Sequence, residues 1–184
     1  SDVYKRQDDT IVISGGQQAL DFTAKCLLND GDTVLTEAPT FLNALNTFRT
    51  YGARIVGVPM DGEGMDMDAL EQALRLEKSV KFIYTIPNFQ NPMGVTLSAA
   101  RRRRMYDLAE QYDVMILEDD PYGRLRYSGT PVDAIKTLDR SERVIYTGSF
   151  SKIIAPGIRV AYLCAPKELM AKMVVAKQCV DVHT

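Results

Sequence analysis

Short apolar runs rich in β-branched residues alternate along this chain with longer stretches of helical period, and no other feature constrains its fold as strongly. Repeated strand–helix–strand units of this kind build a largely parallel sheet with helices on both faces. The strand segments are residues 11–13, 33–35, 54–58, 81–85, 114–117, 144–147 and 160–164, and several are apolar throughout, as strands covered on both faces must be. The expected fold class is therefore α/β: a three-layer α/β/α arrangement around a mostly parallel seven-stranded sheet.

Helices fill the intervals. Phe41, Ala44, Leu45 and Phe48 fall at i, i+3, i+4 and i+7, which puts one apolar stripe on a helix after Pro39 and Thr40. Met105, Leu108, Ala109 and Tyr112 form a second stripe, with Ser98 as its N-cap. Pro166 suits the first turn of a last helix bearing Leu169, Met173, Ala176 and Val180. Asp61, Gly62, Glu63 and Gly64 are turn chemistry. Without a repeat, low-complexity tract or linker, residues 9–184 read as one domain, preceded by an unstructured or artefactual head at residues 1–8.

Bulk properties exclude several function classes. A chain of 184 residues, 46% hydrophobic and 25% charged, suits a soluble globular protein. A formal net charge of -2 gives no general attraction to nucleic acid or an anionic membrane. The one basic run, Arg101 to Arg104, is expected to form a solvated helix face. Cys26, Cys164 and Cys179 are odd in number and set in apolar stretches, as buried free thiols of a reducing compartment would be. No apolar run approaches the ~20 residues that cross a bilayer, and the polar head has no secretory pattern, so a cytoplasmic location is expected.

In open α/β sheets ligands gather beyond the carboxyl ends of the strands. After the first strand, Ser14-Gly15-Gly16-Gln17-Gln18 runs straight into a helix at residues 17–28, whose first amides and dipole would face an anion. The same residues also suit a plain tight turn, and they match neither the dinucleotide fingerprint nor the P-loop. Asp119 and Asp120 end another strand, where they are solvated loop acids, buried charges awaiting a cation, a metal pair or a receiver-type phosphoacceptor. Metal binding wants more ligands nearby, and the single histidine, His183, is remote in sequence. Lys152 follows a strand and two serines and precedes Ile153, Ile154, Ala155 and Pro156. An ordinary surface lysine fits this position, but an apolar setting would make its amine a usable nucleophile, as a Schiff-base lysine requires.

Taken together, these segments resemble a known family. Residues 149–159, Ser-Phe-Ser-Lys-Ile-Ile-Ala-Pro-Gly-Ile-Arg, are similar to the lysine motif of class I/II, fold-type I aminotransferases. Residues 87–94 resemble their Pro-x-x-x-Asn-Pro-x-Gly loop, residues 119–122 their Asp-x-x-Tyr, and residues 14–20 their phosphate loop. Glu-Ala-Pro-Thr-Phe at 37–41 and Glu-Asp-Asp-Pro-Tyr-Gly at 118–123 are most similar to the 2-aminoadipate, kynurenine and aromatic aminotransferase group.

The resemblance implies pyridoxal 5'-phosphate as cofactor, with Lys152 carrying it and then serving as general acid and base. It implies that Asp119, three residues before Tyr122, keeps the pyridine nitrogen protonated, while Tyr122 and Asn91 hydrogen-bond the phenolic oxygen. The backbone amides of Gly16 and Gln17, the hydroxyls of Ser149 and Ser151, and the guanidinium of Arg159 are implied to hold the phosphate. Gly16 stands where that group often has serine, so only the backbone contribution remains there. Phe41 aligns with the aromatic residue on the pyridine face, although core packing on a helix stripe accounts for it equally well.

The implied activity moves an amino group between an aromatic or 2-aminoadipate-like amino acid and a 2-oxo acid such as 2-oxoglutarate, in a homodimer. Two other readings share these motifs: the aminotransferase-like domain of a winged-helix transcription regulator, and a pyridoxal-phosphate lyase on the same fold. The resemblance also implies an incomplete large domain, lacking an N-terminal arm and a C-terminal small domain, and inactive by itself.

Overall fold

The computed structural model describes residues 9–181. The head at residues 1–8 and His183 lie outside the described residues. The elements run β1 (Thr10–Ile13), α1 (Gly16–Leu27), β2 (Thr33–Ala38), α2 (Leu42–Thr50), β3 (Arg54–Asp61), β4 (Gly64–Met65), α3 (Met67–Leu76), β5 (Val80–Thr85), α4 (Ala99–Gln111), β6 (Met115–Asp120), β7 (Val144–Ser149), β8 (Ala161–Cys164) and α5 (Lys167–Gln178).

One sheet of eight strands forms in the order β1-β8-β7-β6-β5-β2-β3-β4. Its centre is parallel, from β7 through β6, β5 and β2 to β3. β8 runs antiparallel to both β7 and β1, and β4 antiparallel to β3. The expected count of seven becomes eight because the turn at Asp61 to Gly64 closes a hairpin, pairing Asp61 with Gly64 and Met60 with Met65. A two-residue strand carries no readable alternation. α3 is a further element absent from the sequence reading; its N-cap Asp66 accepts from the amides of Asp68 and Ala69.

The strands are apolar throughout because the sheet has a core on each face. Val34, Phe82, Tyr84, Leu117 and Ile145 point to the layer of α1, α2 and α5, where Phe22, Phe48 and Met173 meet them. Their neighbours Leu35, Ile83, Ile116 and Val144 point to the layer of α3 and α4, against Leu70, Met105 and Leu108. Phe48 packs edge-on against both Phe82 and Tyr84, with ring centroids 5.2 and 5.4 Å apart.

Several expectations need correction. Phe41 is not within the second helix but forms its N-cap, and the stripe is carried by Ala44 and Phe48. Pro166 caps α5 from outside, and Val180 lies beyond its end. Cys164 is buried and Cys26 half-buried, but Cys179 is exposed at the end of α5, and all three are free thiols. The arginine run is not a uniformly solvated face. Ser98 does cap α4, but Arg102 is 1% exposed because it shares a face with Met105, Tyr106 and Ala109. Its guanidinium reaches the carbonyls of Leu97 at 2.9 Å, Pro87 at 2.9 Å and Asp133 at 3.0 Å, and the side-chain oxygen of Asn88 at 2.7 Å. A buried charge persists here because carbonyl oxygens replace its water.

Candidate active site

A cavity of about 1040 Å³ opens above the carboxyl ends of β1, β6 and β7, beside the first turns of α1 and α2. All ten residues singled out from the sequence line it: Gly16, Gln17, Phe41, Asn91, Asp119, Tyr122, Ser149, Ser151, Lys152 and Arg159. They come from five separate segments of chain, gathered near the point where β2 connects outward to β3 and β5 connects the opposite way to β6.

Side-chain alternation along β6 separates its acids. Leu117 and Asp119 point to the α1 side, whereas Glu118 and Asp120 point away from it, and the cavity lies on the first side. Asp119 accepts a hydrogen bond from Tyr84 Oη at 3.0 Å and has no ion pair among the described residues. Burial is the main reason its carboxyl is pushed up to about 7; the Tyr84 hydroxyl opposes this and neighbouring Asp120 adds to it. Asp120 has a different task. It accepts from Asn88 Nδ2 and the Gly123 amide at 2.9 Å each and from Tyr146 Oη at 3.1 Å, so it ties down the turn that presents Tyr122. Glycine at 123 is required, since a Cβ would stand 2.5 Å from the Asp120 carboxylate.

Tyr122 faces the same space, within hydrogen-bonding reach of the Asn91 side chain. Burial raises the pKa of its hydroxyl, the nearby Asp119 carboxylate adds to the rise, and Asn91 opposes both. The half-buried ring of Phe41, at the start of α2, supplies an apolar wall.

The turn between β1 and α1 forms the anion-facing end. α1 begins without a side-chain cap, at Gly15 with φ 83°, and its first residues Gly16 and Gln17 line the cavity. Gly15 is the glycine this turn cannot replace: a Cβ there would lie 2.2 Å from the Arg159 guanidinium. Gly16 has open space around it, as a position where related enzymes often carry serine should have. Arg159 sits in the left-handed region at φ 51°, and its side chain crosses to α1 from the far side of the cavity. The Ser151 amide donates to Ser149 Oγ at 3.1 Å, fixing the turn that leads into Lys152.

Two further findings depart from expectation. The apolar run after Lys152 does not enclose it: Lys152 is exposed, and Ile154 and Ile158 are 68% and 44% exposed, because the segment is a chain of turns whose side chains point outward. Sequence reasoning also missed Asp181. Beneath the cradle it accepts from Ser14 Oγ at 2.9 Å and Gln18 Nε2 at 3.1 Å, while Lys177 pairs with it. These donors, Lys177 first, lower its carboxyl to about 2.

An open α/β sheet with an uncapped helix, a half-buried carboxylate without an ion pair and a lysine around one cavity has the outline of a ligand-binding core. The family described as aminotransferase class I and II matches residues 2–180, and the chain belongs to it. Aromatic-amino-acid aminotransferase 1 of Thermococcus litoralis is 51% identical over 180 residues, covering 96% of this chain and 43% of that protein. Among solved structures, Pyrococcus horikoshii kynurenine aminotransferase superposes with a TM-score of 0.94 at 48% identity, over 97% of this chain and 46% of that one. The α-aminoadipate aminotransferase LysN of Thermus thermophilus, complexed with N-(5'-phosphopyridoxyl)-L-leucine, also gives 0.94, at 39% identity over 99% of this chain and 47% of that one. The chain thus spans under half the length of these relatives. The fold is that of the matched part of the two solved structures.

Proposed function

We propose that this chain is the cofactor-binding core of a pyridoxal-phosphate-dependent aminotransferase. The whole protein would pass an amino group between an aromatic or 2-aminoadipate-like amino acid and a 2-oxo acid such as 2-oxoglutarate. One observation carries the reading: the cavity holds a half-buried carboxylate without a cation at one place, Asp119, and an uncapped helix beside an arginine at another. A cationic ring nitrogen and a phosphate on one rigid ligand fit that pair of demands.

When bound, the cofactor supplies an electron sink for the carbanion left when the substrate α-proton departs. Asp119 would hold a proton on the ring nitrogen, which its carboxylate charge favours. Tyr122 would donate to the phenolic oxygen, with Asn91 beside it, and Phe41 would pack on the ring. The amides of Gly16 and Gln17, the hydroxyls of Ser149 and Ser151, and Arg159 would hold the phosphate. The amine of Lys152 would bind the cofactor and, as a free amine, would serve as the base that accepts the substrate α-proton.

A homodimer is part of this proposal. The exposed Ile153, Ile154 and Ile158, in the segment between Lys152 and Arg159, support it, because exposed apolar side chains in one segment suit coverage by a second subunit. A cytoplasmic location is supported by the three free thiols. No helix among the described residues is long and apolar enough to cross a membrane.

Borohydride reduction of the whole protein with pyridoxal phosphate, followed by peptide mapping, tests the site, and a pyridoxyl label on any lysine other than Lys152 overturns it. Half-reaction spectra across a panel of amino acids test the activity. Conversion of aromatic amino acids or 2-aminoadipate is expected, and no conversion with any donor would overturn the enzymatic reading in favour of an effector-binding one.

A further inference from the structure

Glu37 stands at the end of β2, 2% exposed, and plays no part in the chemistry described so far. The donors to its carboxylate come from the last residue of β5 and from the segment that follows it. Thr85 Oγ1 reaches Oε1 at 2.6 Å, the Ile86 amide reaches both oxygens at 3.2 Å, and Gln90 Nε2 reaches Oε2 at 2.9 Å.

Gln90 is equally buried, at 2% exposure, and equally occupied. Its Nε2 also donates to the Pro39 carbonyl at 3.0 Å, and its Oε1 accepts from the Met93 amide at 3.0 Å. Its own amide bonds the Val95 carbonyl at 2.8 Å, and its carbonyl accepts from the Gly94 amide. The loop from Ile86 to Val95 is therefore folded around one amide side chain, which is fastened to one carboxylate in the sheet. Asn91 is the next residue of that loop, half-buried, lining the cavity and within reach of Tyr122.

We propose that Glu37 and Gln90 are positioning residues which hold Asn91 against Tyr122. This deepens the functional reading above and rests on it, since Asn91 and Tyr122 matter to catalysis only if they meet the cofactor. What Glu37 supplies is acceptor geometry. A glutamine there can keep its carbonyl oxygen toward Gln90 and Ile86 and turn its amide toward Thr85 Oγ1, which can accept as well as donate. Alanine leaves three buried donors unserved.

The test uses the whole protein with Gln90→Ala, Asn91→Ala, the double variant, Glu37→Gln and Glu37→Ala. Two readouts apply: the ¹³Cζ resonance of Tyr122 in cofactor-free protein, and the dissociation constant of pyridoxal phosphate. We expect Gln90→Ala to move the Tyr122 resonance in the same direction as Asn91→Ala. We expect it to weaken cofactor binding by roughly threefold to tenfold, with the double variant no weaker than Asn91→Ala within about twofold, the non-additivity of one coupled unit. Glu37→Gln should retain both properties, and Glu37→Ala should lose both if it folds. An unmoved Tyr122 resonance in Gln90→Ala, or losses that multiply in the double variant, would overturn the proposal. Coupled resonances with an unchanged dissociation constant in every variant, Asn91→Ala included, would uphold the positioning and overturn the cofactor contact.

Discussion

Replacing Asp119 by asparagine should make the cofactor-free protein more stable while removing its transamination. The carboxyl is pushed from the ordinary value near 3.8 up to about 7, chiefly by burial. Each pKa unit is about 1.4 kcal/mol, so the ionised side chain costs the fold up to about 4 kcal/mol; since solvent still reaches part of the residue, about 2–3 kcal/mol is the working figure. Asparagine is neutral, nearly isosteric, and can still accept from Tyr84 Oη. The sign follows from proton uptake. Between about pH 4 and pH 7 the folded wild type holds a proton that the unfolded chain has lost, so its stability falls as pH rises through that window and levels off above it. The variant's advantage should therefore be near zero at pH 4, grow to pH 7 and stay constant to pH 8. Glu37 and Glu118 are also raised to about 7, mainly by burial; Asp119 is only the smallest cause of the Glu37 rise and no cause of the Glu118 one, so their contributions largely cancel in the difference. Thermal unfolding of both proteins from pH 4 to pH 8 is the assay, and a gain of roughly 4–12 °C is expected at pH 8 for a chain of this size. A gain that is the same at pH 4 as at pH 8, or a variant less stable than wild type at pH 8, would refute the reasoning.

Three other outcomes follow from the geometry. Asp120→Asn should lower stability, because its three accepted bonds build the turn before Gly123, yet should leave far more activity than Asp119→Asn; equal activity losses would contradict the division of labour along β6. Gly15→Ala should cost about 1–3 kcal/mol through its positive φ and weaken pyridoxal phosphate binding by displacing Arg159, so an unchanged dissociation constant by equilibrium titration would count against the cradle. Arg102→Met should destabilise by about 3–5 kcal/mol in urea unfolding, because several buried carbonyls lose their donor; a cost under about 1 kcal/mol would show that the guanidinium is dispensable.

Most of the candidate site was legible because its residues sit at or just after strand ends, where polar residues interrupt apolar runs, and because four motifs fall in a recognisable order. What stayed hidden depends on direction in space. Arg102 lies on the same stripe as Met105, Tyr106 and Ala109, so its burial was implicit in the helical period, but four consecutive arginines read as one polar block. The environment of Lys152 failed in the opposite sense: an apolar run signals burial only if something covers it, and here the side chains point outward from turns. Glu37 shows a third kind of limit. A lone acid at the end of a strand reads as the strand's polar boundary, and only the fold brings Thr85, Ile86 and Gln90 round to it from about fifty residues away. A carboxylate kept at 2% exposure by donors alone is costly to hold, and the loop that repays that cost is the one presenting Asn91. The division along β6 follows the same logic: Asp120, on the face away from the cavity, builds scaffold, whereas Asp119, facing the cavity without a cation, is left to meet a ligand.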